Sequence, residues 1–185
     1  MTRTQYYVAT SIDGFIADQH NSLGWLSHAE SKRNEGQFDS FFSGVGSFAM
    51  GATTYEWVLR HHDLLARPER WREWYRDVPS WVFTHRDPPP IPGADITFVS
   101  GDVRPVHEAM VDAAEGRNVW LTGGGELVGA FADRGLLDEI ILSVAPVILG
   151  GGAPLLPRRL LSSQLSLVDV DRHGQFVYLT FSLVR

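Results

Sequence analysis

A run of three glycines after a buried strand is the feature of this sequence with the clearest chemical meaning. Residues 119–128 are Val-Trp-Leu-Thr-Gly-Gly-Gly-Glu-Leu-Val, which predicts a strand ending at the glycines and a helix starting directly after them. Glycines let a phosphate group come close to the backbone, and the N–H groups of the first helical turn point toward it. A tight turn without a ligand is the alternative, but three consecutive glycines exceed what such a turn needs. Position 128 is valine and no Lys-Ser/Thr pair follows, so the segment matches neither the standard dinucleotide fingerprint nor a P-loop.

Two further strand ends carry groups that suit a phosphate. One strand runs into Gly51 and a helix start that contains Thr53 and Thr54, either of which is a candidate N-cap. Another ends at Thr84, His85 and Arg86, where the guanidinium can bind a phosphate through paired N–H donors. Taken alone, the first is most simply a helix cap, and the arginine could equally be a solvated loop residue. The two segments gain significance from their position, because open α/β sheets bind ligands at the carboxyl ends of their strands.

Among the acidic and histidine residues, one aspartate is a candidate functional residue, and two segments that suggest a metal site are rejected. Asp13 stands just past the first predicted strand, where an Asp-Gly pair by itself indicates only a turn. His107-Glu108 begins like a zinc-protease motif, but Val111 takes the place of the second histidine. The adjacent residues 61–63 (His-His-Asp) would face different directions on a helix. We therefore predict no metal site.

The elements that must position these residues follow from hydrophobic patterning and turn signals. Strands are predicted at residues 5–11, 45–50, 80–84, 96–99, 119–122 and 138–149, with a hairpin of 165–171 and 176–184 at the end. Helices are predicted at 30–42, after Gly51, at 67–77, from an Asp102 cap to Gly116, and after Gly125. Alternating strands and helices followed by a hairpin indicate an α/β fold with a mostly parallel sheet. We expect one domain over residues 1–185.

Composition excludes several function classes. The chain has 185 residues and no cysteine, which removes disulfides, thiolate metal sites and cysteine nucleophiles. A formal net charge of −6 argues against binding to nucleic acid or to an anionic membrane. The N-terminus lacks the long apolar segment of a signal peptide, and the most apolar stretch is too short to span a membrane. A cytoplasmic location is therefore expected.

The motifs, in the order in which they occur along the chain, resemble those of the dihydrofolate reductase-like superfamily. They are most similar to the group that includes the reductase domain of the bacterial riboflavin-biosynthesis deaminase/reductase. The matching segments are Ser-x-Asp-Gly-x-Ile-Ala at 11–17, Leu-Gly-Trp-Leu at 23–26, Met-Gly-x-x-Thr-Tyr-Glu at 50–56, Thr-His-Arg at 84–86, Leu-Thr-Gly-Gly-Gly-Glu-Leu at 121–127, and residues 138–155. Each is modest alone, but together they span nearly the whole chain. The resemblance implies an eight-stranded, mixed and mostly parallel sheet flanked by helices, with a C-terminal antiparallel hairpin.

The resemblance also implies a cofactor and a set of site residues. The cofactor would be NADPH, with its nicotinamide carboxamide held by the backbones of Ala9 and Ile16. The residues implied around its phosphates are Gly51, Ala52, Thr53 and Thr54, then Gly123, Gly124, Gly125, Glu126 and Leu127, with Thr84, His85 and Arg86 at the 2′-phosphate. Asp13, Trp25, Glu30 and Thr122 would line the substrate side. Asp13 is the first candidate for supporting proton transfer, and Glu30 is the second.

One departure from the family pattern bears on the cofactor. Relatives usually carry Arg or Lys directly after the glycine of the Met-Gly motif, where this chain has Ala52. Glu126 adds a negative charge near the same phosphates. NADPH binding then depends mainly on Arg86, and NADH is the alternative cofactor. We expect a reductase of a small heterocyclic or carbonyl substrate, such as a pterin, a folate or a pyrimidine riboside, and a homodimer. The alternative is a nucleotide- or pterin-binding module with weak catalysis on the same fold.

Overall fold

The computed structural model describes residues 1–26 and 36–184. Its strands are β1 (Thr4–Thr10), β2 (Phe15–Ala17), β3 (Val45–Gly51), β4 (Ser80–Phe83), β5 (Ile96–Val99), β6 (Asn118–Gly123), β7 (Glu139–Val144), β8 (Ala153–Pro154), β9 (Leu165–His173) and β10 (Phe176–Leu183). Its helices include α1 (Gly36–Ser43), α2 (Ala52–His61), α3 (Glu69–Tyr75), α4 (Val103–Ala113) and α5 (Gly125–Asp133). No helix within these two ranges is long and apolar enough to cross a membrane.

One large sheet organises the chain. Eight strands form it in the order β5-β4-β3-β6-β1-β7-β10-β9, and β2 pairs with β8 separately. The strands from β5 through β7 run parallel, whereas β10 is antiparallel to both β7 and β9. This confirms the predicted mixed eight-stranded sheet with its C-terminal hairpin, and β1 lies near the centre of the sheet. Because parallel strands end at one edge, the carboxyl ends of β1, β3, β4, β6 and β7 meet there.

The sheet has a hydrophobic core on each face, because successive strand residues point to opposite sides. Tyr7 belongs to one core and its neighbour Tyr6 to the other. The side with Tyr7 is here called the α1–α3 face, and its core includes Phe42 from α1, Tyr55 from α2 and Trp71 from α3. The side with Tyr6 is the α4–α5 face, whose core includes Met110 from α4 and Phe131 from α5.

Strand β7 is shorter than predicted. It ends at Val144, whereas the apolar pattern predicted a strand to residue 149. The Ala145 N–H still donates to the Thr10 carbonyl at 2.9 Å, but Pro146 has no N–H with which to continue the ladder. Residues 145–152 instead form a loop at the carboxyl edge of the sheet. The predicted extension of the strand was therefore wrong, and the apolar residues beyond Val144 belong to this loop.

The small β2–β8 sheet was not predicted at all. No strand is predicted at residues 15–17 or 153–154, because segments of three and two residues are too short for a period-2 pattern. The pairing depends on Gly152, since a Cβ atom there would lie 2.0 Å from the Ala17 carbonyl oxygen. Only glycine allows the two backbones to approach this closely.

The helix starts agree with the sequence in one case and differ in another. Asp102 caps α4 as predicted, and its Oδ1 accepts a hydrogen bond from the Arg104 N–H at 3.2 Å. Helix α2 instead begins at Ala52 with Gly51 as its N-cap, and no side chain caps it. The predicted cap by Thr53 or Thr54 is therefore wrong, because both threonines already lie in the first helical turn. The N–H groups of that turn are left without a side-chain cap.

Candidate active site

The carboxyl edge of the sheet brings together the residues that the sequence pointed to for a cofactor. Gly51 ends β3, residues 84–86 follow β4, and Gly123 ends β6. Strands β3 and β6 are neighbours, with Met50 directly paired to Gly123. Ala9 lies near the end of β1, and Ile16 lies in β2, which contacts β1. Motifs more than 70 residues apart in sequence thus lie along one edge of the sheet.

Two of the three consecutive glycines face open space. Gly123 and Gly124 have φ angles of +153° and +84°, a region that other residues rarely adopt. A Cβ atom on Gly123 would have only the Thr54 Oγ1, at 3.8 Å, within 4 Å. A Cβ atom on Gly51 would meet nothing within 4 Å. The end of β6 and the start of α2 therefore border one unfilled gap, where a ligand can reach both backbones.

The third glycine has a different role. A Cβ atom on Gly125 would lie 2.5 Å from the Pro154 carbonyl oxygen and 2.8 Å from that of Leu155. This glycine is required because the chain around β8 packs directly on the start of α5. The run of three glycines thus combines two open backbone positions with one packing position, which explains why it exceeds the needs of a turn.

The helix termini beside the gap fit a phosphate ligand. Helices α2 and α5 begin at adjacent strands, with Gly51 and Gly124 as their N-caps, and neither cap uses a side chain. Their first-turn N–H groups therefore have no side-chain acceptor, and both helix dipoles place partial positive charge at this edge. With the open space at Gly123, these donors fit the pyrophosphate of a dinucleotide without requiring any lysine.

Glu126 does not leave a free negative charge in this region. Its Oε2 accepts a hydrogen bond from the Arg158 guanidinium at 3.0 Å, and Asp133 of the same helix accepts another at 2.8 Å. The two carboxylates raise the pKa of Arg158, with the Asp133 hydrogen bond as the larger cause. Arg158 therefore gives the acidic residue that follows the glycines a cationic partner, which it shares with Asp133.

Arg86 lies at the tip of the neighbouring strand and already has an acidic partner. The Thr84 hydroxyl oxygen accepts a hydrogen bond from the Arg86 N–H at 2.9 Å, which fixes the backbone of this turn. The Arg86 guanidinium contacts the Glu56 carboxylate of α2, with 3.0 Å to one oxygen and 3.3 Å to the other. His85 is exposed beside it. The guanidinium predicted to meet a 2′-phosphate is thus shared with a carboxylate that sequence reasoning did not include.

Asp13 connects two loops of the site. Its carboxylate accepts hydrogen bonds from the Leu149 N–H at 3.1 Å and the Gly150 N–H at 2.7 Å. The pKa of this exposed carboxyl group is lowered by a hydrogen bond from the Ser11 hydroxyl and by these two N–H groups. Asp13 is consequently ionised at neutral pH, a state that orients and binds but has no proton to donate. Its role in catalysis stays a prediction.

The substrate side shows a different signal, namely buried polar atoms without partners. Within residues 1–26 and 36–184, three such side-chain atoms are found: Trp25 Nε1, Thr122 Oγ1 and Ser143 Oγ. A buried hydroxyl or N–H group left unpaired costs about 1–3 kcal/mol, so each one calls for an explanation. Trp25 and Thr122 are residues that the family resemblance implied for substrate binding. Glu30, implied with them, lies outside the described residues.

Ser143 is a candidate site residue that sequence reasoning missed. It is fully buried in β7 and pairs in register with Ala9 of β1 on one side and Tyr178 of β10 on the other. Strand alternation places its side chain, like that of Thr122, on the α1–α3 face, which also includes Trp25. The available signal was a single polar residue within an apolar strand, but its meaning depends on the register of three strands.

The described residues offer no alternative centre for metal chemistry. No three His, Asp or Glu side chains in residues 1–26 and 36–184 gather closely enough to hold an ion. The polar groups at the carboxyl edge are backbone N–H groups, hydroxyls, one guanidinium and carboxylates. This donor set suits phosphates and a polar ring.

Comparison with known proteins shows which family the chain belongs to. The chain matches the RibD C-terminal domain family over residues 4–179. The uncharacterized protein YwjB of Bacillus subtilis is 32% identical over 179 residues, which cover 97% of each chain. The crystal structure of a protein described as a riboflavin biosynthesis protein from Shewanella sp. PV-4 superimposes with a TM-score of 0.74 at 24% identity, covering 100% of both chains.

A more distant structure supports the wider fold assignment. Dihydrofolate reductase from Enterococcus faecalis, solved in complex with NADP(H) and RAB-propyl, has a TM-score of 0.60 at 12% identity, covering 98% of this chain and 96% of its own. The resemblance inferred from the motifs is thereby confirmed. The chain has a dihydrofolate reductase-like fold and belongs to the RibD C-terminal domain family.

Proposed function

We propose that this protein is an NAD(P)H-dependent reductase that transfers hydride to a small heterocyclic or carbonyl substrate. The observation that carries the proposal is the gap between Gly51 and Gly123–Gly124. Two helix starts without side-chain caps border it, and it lies on the same sheet edge as the buried, unpartnered hydroxyls of Thr122 and Ser143. A dinucleotide needs the uncapped helix starts at the gap for its pyrophosphate, and a ring that binds beside it needs the unpartnered polar groups. The family comparison supports the same class of activity.

The cofactor would lie along the carboxyl edge, and the chain would hold it mainly through its backbone. First-turn N–H groups of α2 and α5 would bind the pyrophosphate, while Ala9 and Ile16 would hold the nicotinamide carboxamide. When bound, the reduced nicotinamide supplies the hydride. The protein's own contribution is to orient the ring against the substrate and to exclude water from the α1–α3 face.

The substrate would bind where Trp25, Thr122 and Ser143 leave polar atoms unpaired. The indole N–H can only donate, whereas each hydroxyl can donate or accept. These groups therefore suit a ring whose edge carries both carbonyl or ring-nitrogen acceptors and N–H donors, as in pterins, folates and pyrimidine ribosides. Ionised Asp13 would hold the loops around such a ring. Glu30 or a bound water is then left as the proton source, because Asp13 has no proton to give.

The test is a titration of the purified protein with NADPH and NADH, followed by turnover assays. Quenching of the tryptophan fluorescence and a thermal shift should report cofactor binding. Oxidation of the reduced cofactor should then be followed at 340 nm with pterins, folates, pyrimidine ribosides and quinones as substrates. No binding at millimolar cofactor would overturn the proposal. Cofactor binding without oxidation of the cofactor in the presence of any of these substrates would favour the second candidate, a nucleotide- or pterin-binding module with weak catalysis.

We also propose that two copies of the chain associate through the C-terminal hairpin. Leu167 and Val170 of β9 are 55% and 57% exposed, and Val177 of β10 is exposed next to them. Apolar side chains concentrated on one part of a sheet are typical of a contact between subunits. Sedimentation should give a dimer for the native chain and a monomer for Val170→Glu. A native monomer at high concentration would contradict this.

A further inference from the structure

A row of side chains crosses four strands on the α1–α3 face of the sheet. Ala9 of β1 pairs in register with Ser143 of β7. Ser143 pairs with Tyr178 of β10, which in turn pairs with Asp171 of β9. Residues paired across neighbouring strands point to the same face, and Tyr178 belongs to the core of the α1–α3 face. The carboxylate of Asp171 therefore lies on the same face as the buried hydroxyl of Ser143, which has no partner among the described residues.

The Asp171 carboxylate is held in place by its neighbours at the end of β9. Its Oδ2 accepts a hydrogen bond from His173 Nε2 at 2.6 Å, and its Oδ1 accepts one from the Arg172 N–H at 2.7 Å. Both contacts lower the pKa of Asp171, with the His173 contact as the larger cause, so the group is ionised at neutral pH. The imidazole also contacts the side-chain amide of Gln37 in α1, and its ring packs edge to face against Tyr178, with 5.5 Å between the ring centroids. The carboxylate is thus fixed beside the start of the helix that covers this face.

This carboxylate can still accept hydrogen bonds from a ligand. Each of its oxygens accepts one of the two bonds just described, whereas an ionised carboxylate has about four acceptor positions. The Asp171 side chain is 55% exposed, so a ligand can approach it. Because an ionised carboxylate only accepts hydrogen bonds, it suits a ligand group that brings hydroxyl or N–H donors.

The place of Asp171 in the row sets how far a substrate would have to reach. Neighbouring strands lie about 4.8 Å apart, which places Asp171 roughly 10 Å from Ser143 and roughly 14 Å from Ala9 along the row. A ring held over β1 and β7, as in the proposed function, covers only the first part of this distance. The remainder, across β10 and β9, is the length of a short substituent on that ring.

We propose that Asp171, positioned by His173, binds hydroxyl groups on a substituent of the substrate ring. The ring edge would bind at Ser143, and the substituent would extend past Tyr178 to the carboxylate. His173 acts through Asp171, because its hydrogen bond fixes the orientation of the carboxylate. This inference rests on the proposed function, since it extends the substrate side of that same site by two strands.

Calorimetry with two pterins tests the inference without requiring turnover. The full chain should be titrated in saturating NADP⁺ with pterin, which has the ring alone, and with biopterin, which carries two hydroxyl groups on a three-carbon substituent of the same ring. The native chain should bind biopterin about tenfold more tightly than pterin. Asp171→Ala should remove this preference and leave the affinity for pterin unchanged.

Two variants at His173 separate positioning from a purely structural role. His173→Phe keeps an aromatic ring beside Tyr178 but cannot donate to Asp171, so the affinity for biopterin should fall by about fivefold while that for pterin stays the same. His173→Gln keeps an N–H donor and should retain most of the biopterin affinity. Equal losses for the two pterins, or equal losses in the two variants, would overturn the positioning role of His173.

Asp169 provides the charge-matched control. It pairs with Thr180, which places it on the same face of β9 as Asp171 but further from the carboxyl edge of the sheet, and it is also exposed. Asp169→Ala should leave both affinities unchanged, and thermal unfolding should confirm that all variants fold.

Three results would overturn the inference alone: no preference for biopterin in the native chain, an undiminished preference in Asp171→Ala, or the same loss in Asp169→Ala. If neither pterin binds to the native chain, the proposed substrate site fails and the inference fails with it.

Discussion

The phosphate end and the substrate end of the candidate site differ in how their polar groups are satisfied. At the phosphate end, the ligand-facing groups are backbone N–H groups beside an open gap, and the charged side chains there already have partners. At the substrate end, side-chain hydroxyls are buried without partners. The first end is stable while empty because water can reach it. The second carries a free-energy cost that a polar ligand would remove.

The largest expected effect tests the phosphate end. Gly124→Val would place a branched side chain at a φ of +84° beside the gap. Affinity for NADPH is expected to fall by at least about 100-fold, since two charge-assisted hydrogen bonds would be lost. Fluorescence titration measures this.

Gly135→Val is the matched control. Gly135 has a φ of +66° and open space around it, but it follows α5 at the opposite end from the gap. The substitution Gly135→Val therefore introduces similar backbone strain at a position that does not contact the candidate site. Equal NADPH affinity in the two variants would show that the gap does not bind the cofactor, and the contrast between the two ends would lose its basis.

A pair of buried serines tests the substrate end. Ser143→Ala is expected to leave the free energy of unfolding unchanged, or to raise it by about 1 kcal/mol, because it removes a buried hydroxyl without a partner. It should also lower the affinity for folate, used as a pterin probe, by about tenfold. Chemical denaturation and calorimetry measure the two effects.

Ser47 provides the comparison, since it is equally buried but donates to the Met110 carbonyl at 2.8 Å. Ser47→Ala should lower the free energy of unfolding by about 1 kcal/mol and leave folate binding unchanged. If both variants lose the same stability, the Ser143 hydroxyl is not a cost to the empty protein. The proposed difference between the two ends would then fail.

The smallest expected effect concerns Asp13, which lies between the two ends. Its lowered pKa means that the carboxylate stabilises the folded loops above its unfolded pKa and loses this effect as the pH falls through its folded pKa. Asp13→Asn should therefore accelerate hydrogen exchange at the Leu149 and Gly150 amides at neutral pH. Turnover should fall by roughly fivefold, with no change in the shape of its pH profile between about pH 6 and 9.

A different pH profile would change the assignment of Asp13. If Asp13→Asn removes the alkaline limb of the turnover profile, the carboxyl group supplies the proton, and its role as an ionised tether is wrong. Asp18→Asn is a suitable control, because this carboxyl group also has a lowered pKa from backbone N–H groups but contacts only its own loop.

The two ends also differ in how far the sequence could predict them. Glycines and a helix start are local signals, so Gly51 and residues 123–125 could be proposed as the phosphate end from the sequence directly. The order of strands and helices was enough for the sheet, because each buried strand is bounded by its own turn residues. Family resemblance supplied Trp25 and Thr122, which have no such local signal.

The candidate role of Ser143 and the contact of Glu56 with Arg86 could not be predicted from the sequence, for a physical reason. The role of Ser143 depends on the pairing of β7 with β1 and β10, which sets which face its hydroxyl occupies. The contact between Glu56 and Arg86 joins residues 30 positions apart through the packing of α2 beside β4. Both are products of tertiary contacts, whereas residue type and spacing describe only the chain's local preferences.

The close packing at Gly125 has a consequence for the length of ligand that the site accepts. Gly125 touches the Pro154 and Leu155 carbonyls, Pro154 pairs with Phe15 in the small sheet, and the Leu155 N–H donates to the Gly14 carbonyl at 2.9 Å. The start of α5 and the loop after β1 are therefore joined by a short, continuous backbone link. This link fixes the distance between the phosphate end and the ring end of the candidate site. A shortened or lengthened dinucleotide could bind at one end, but its other end would then not reach the residues proposed to hold it.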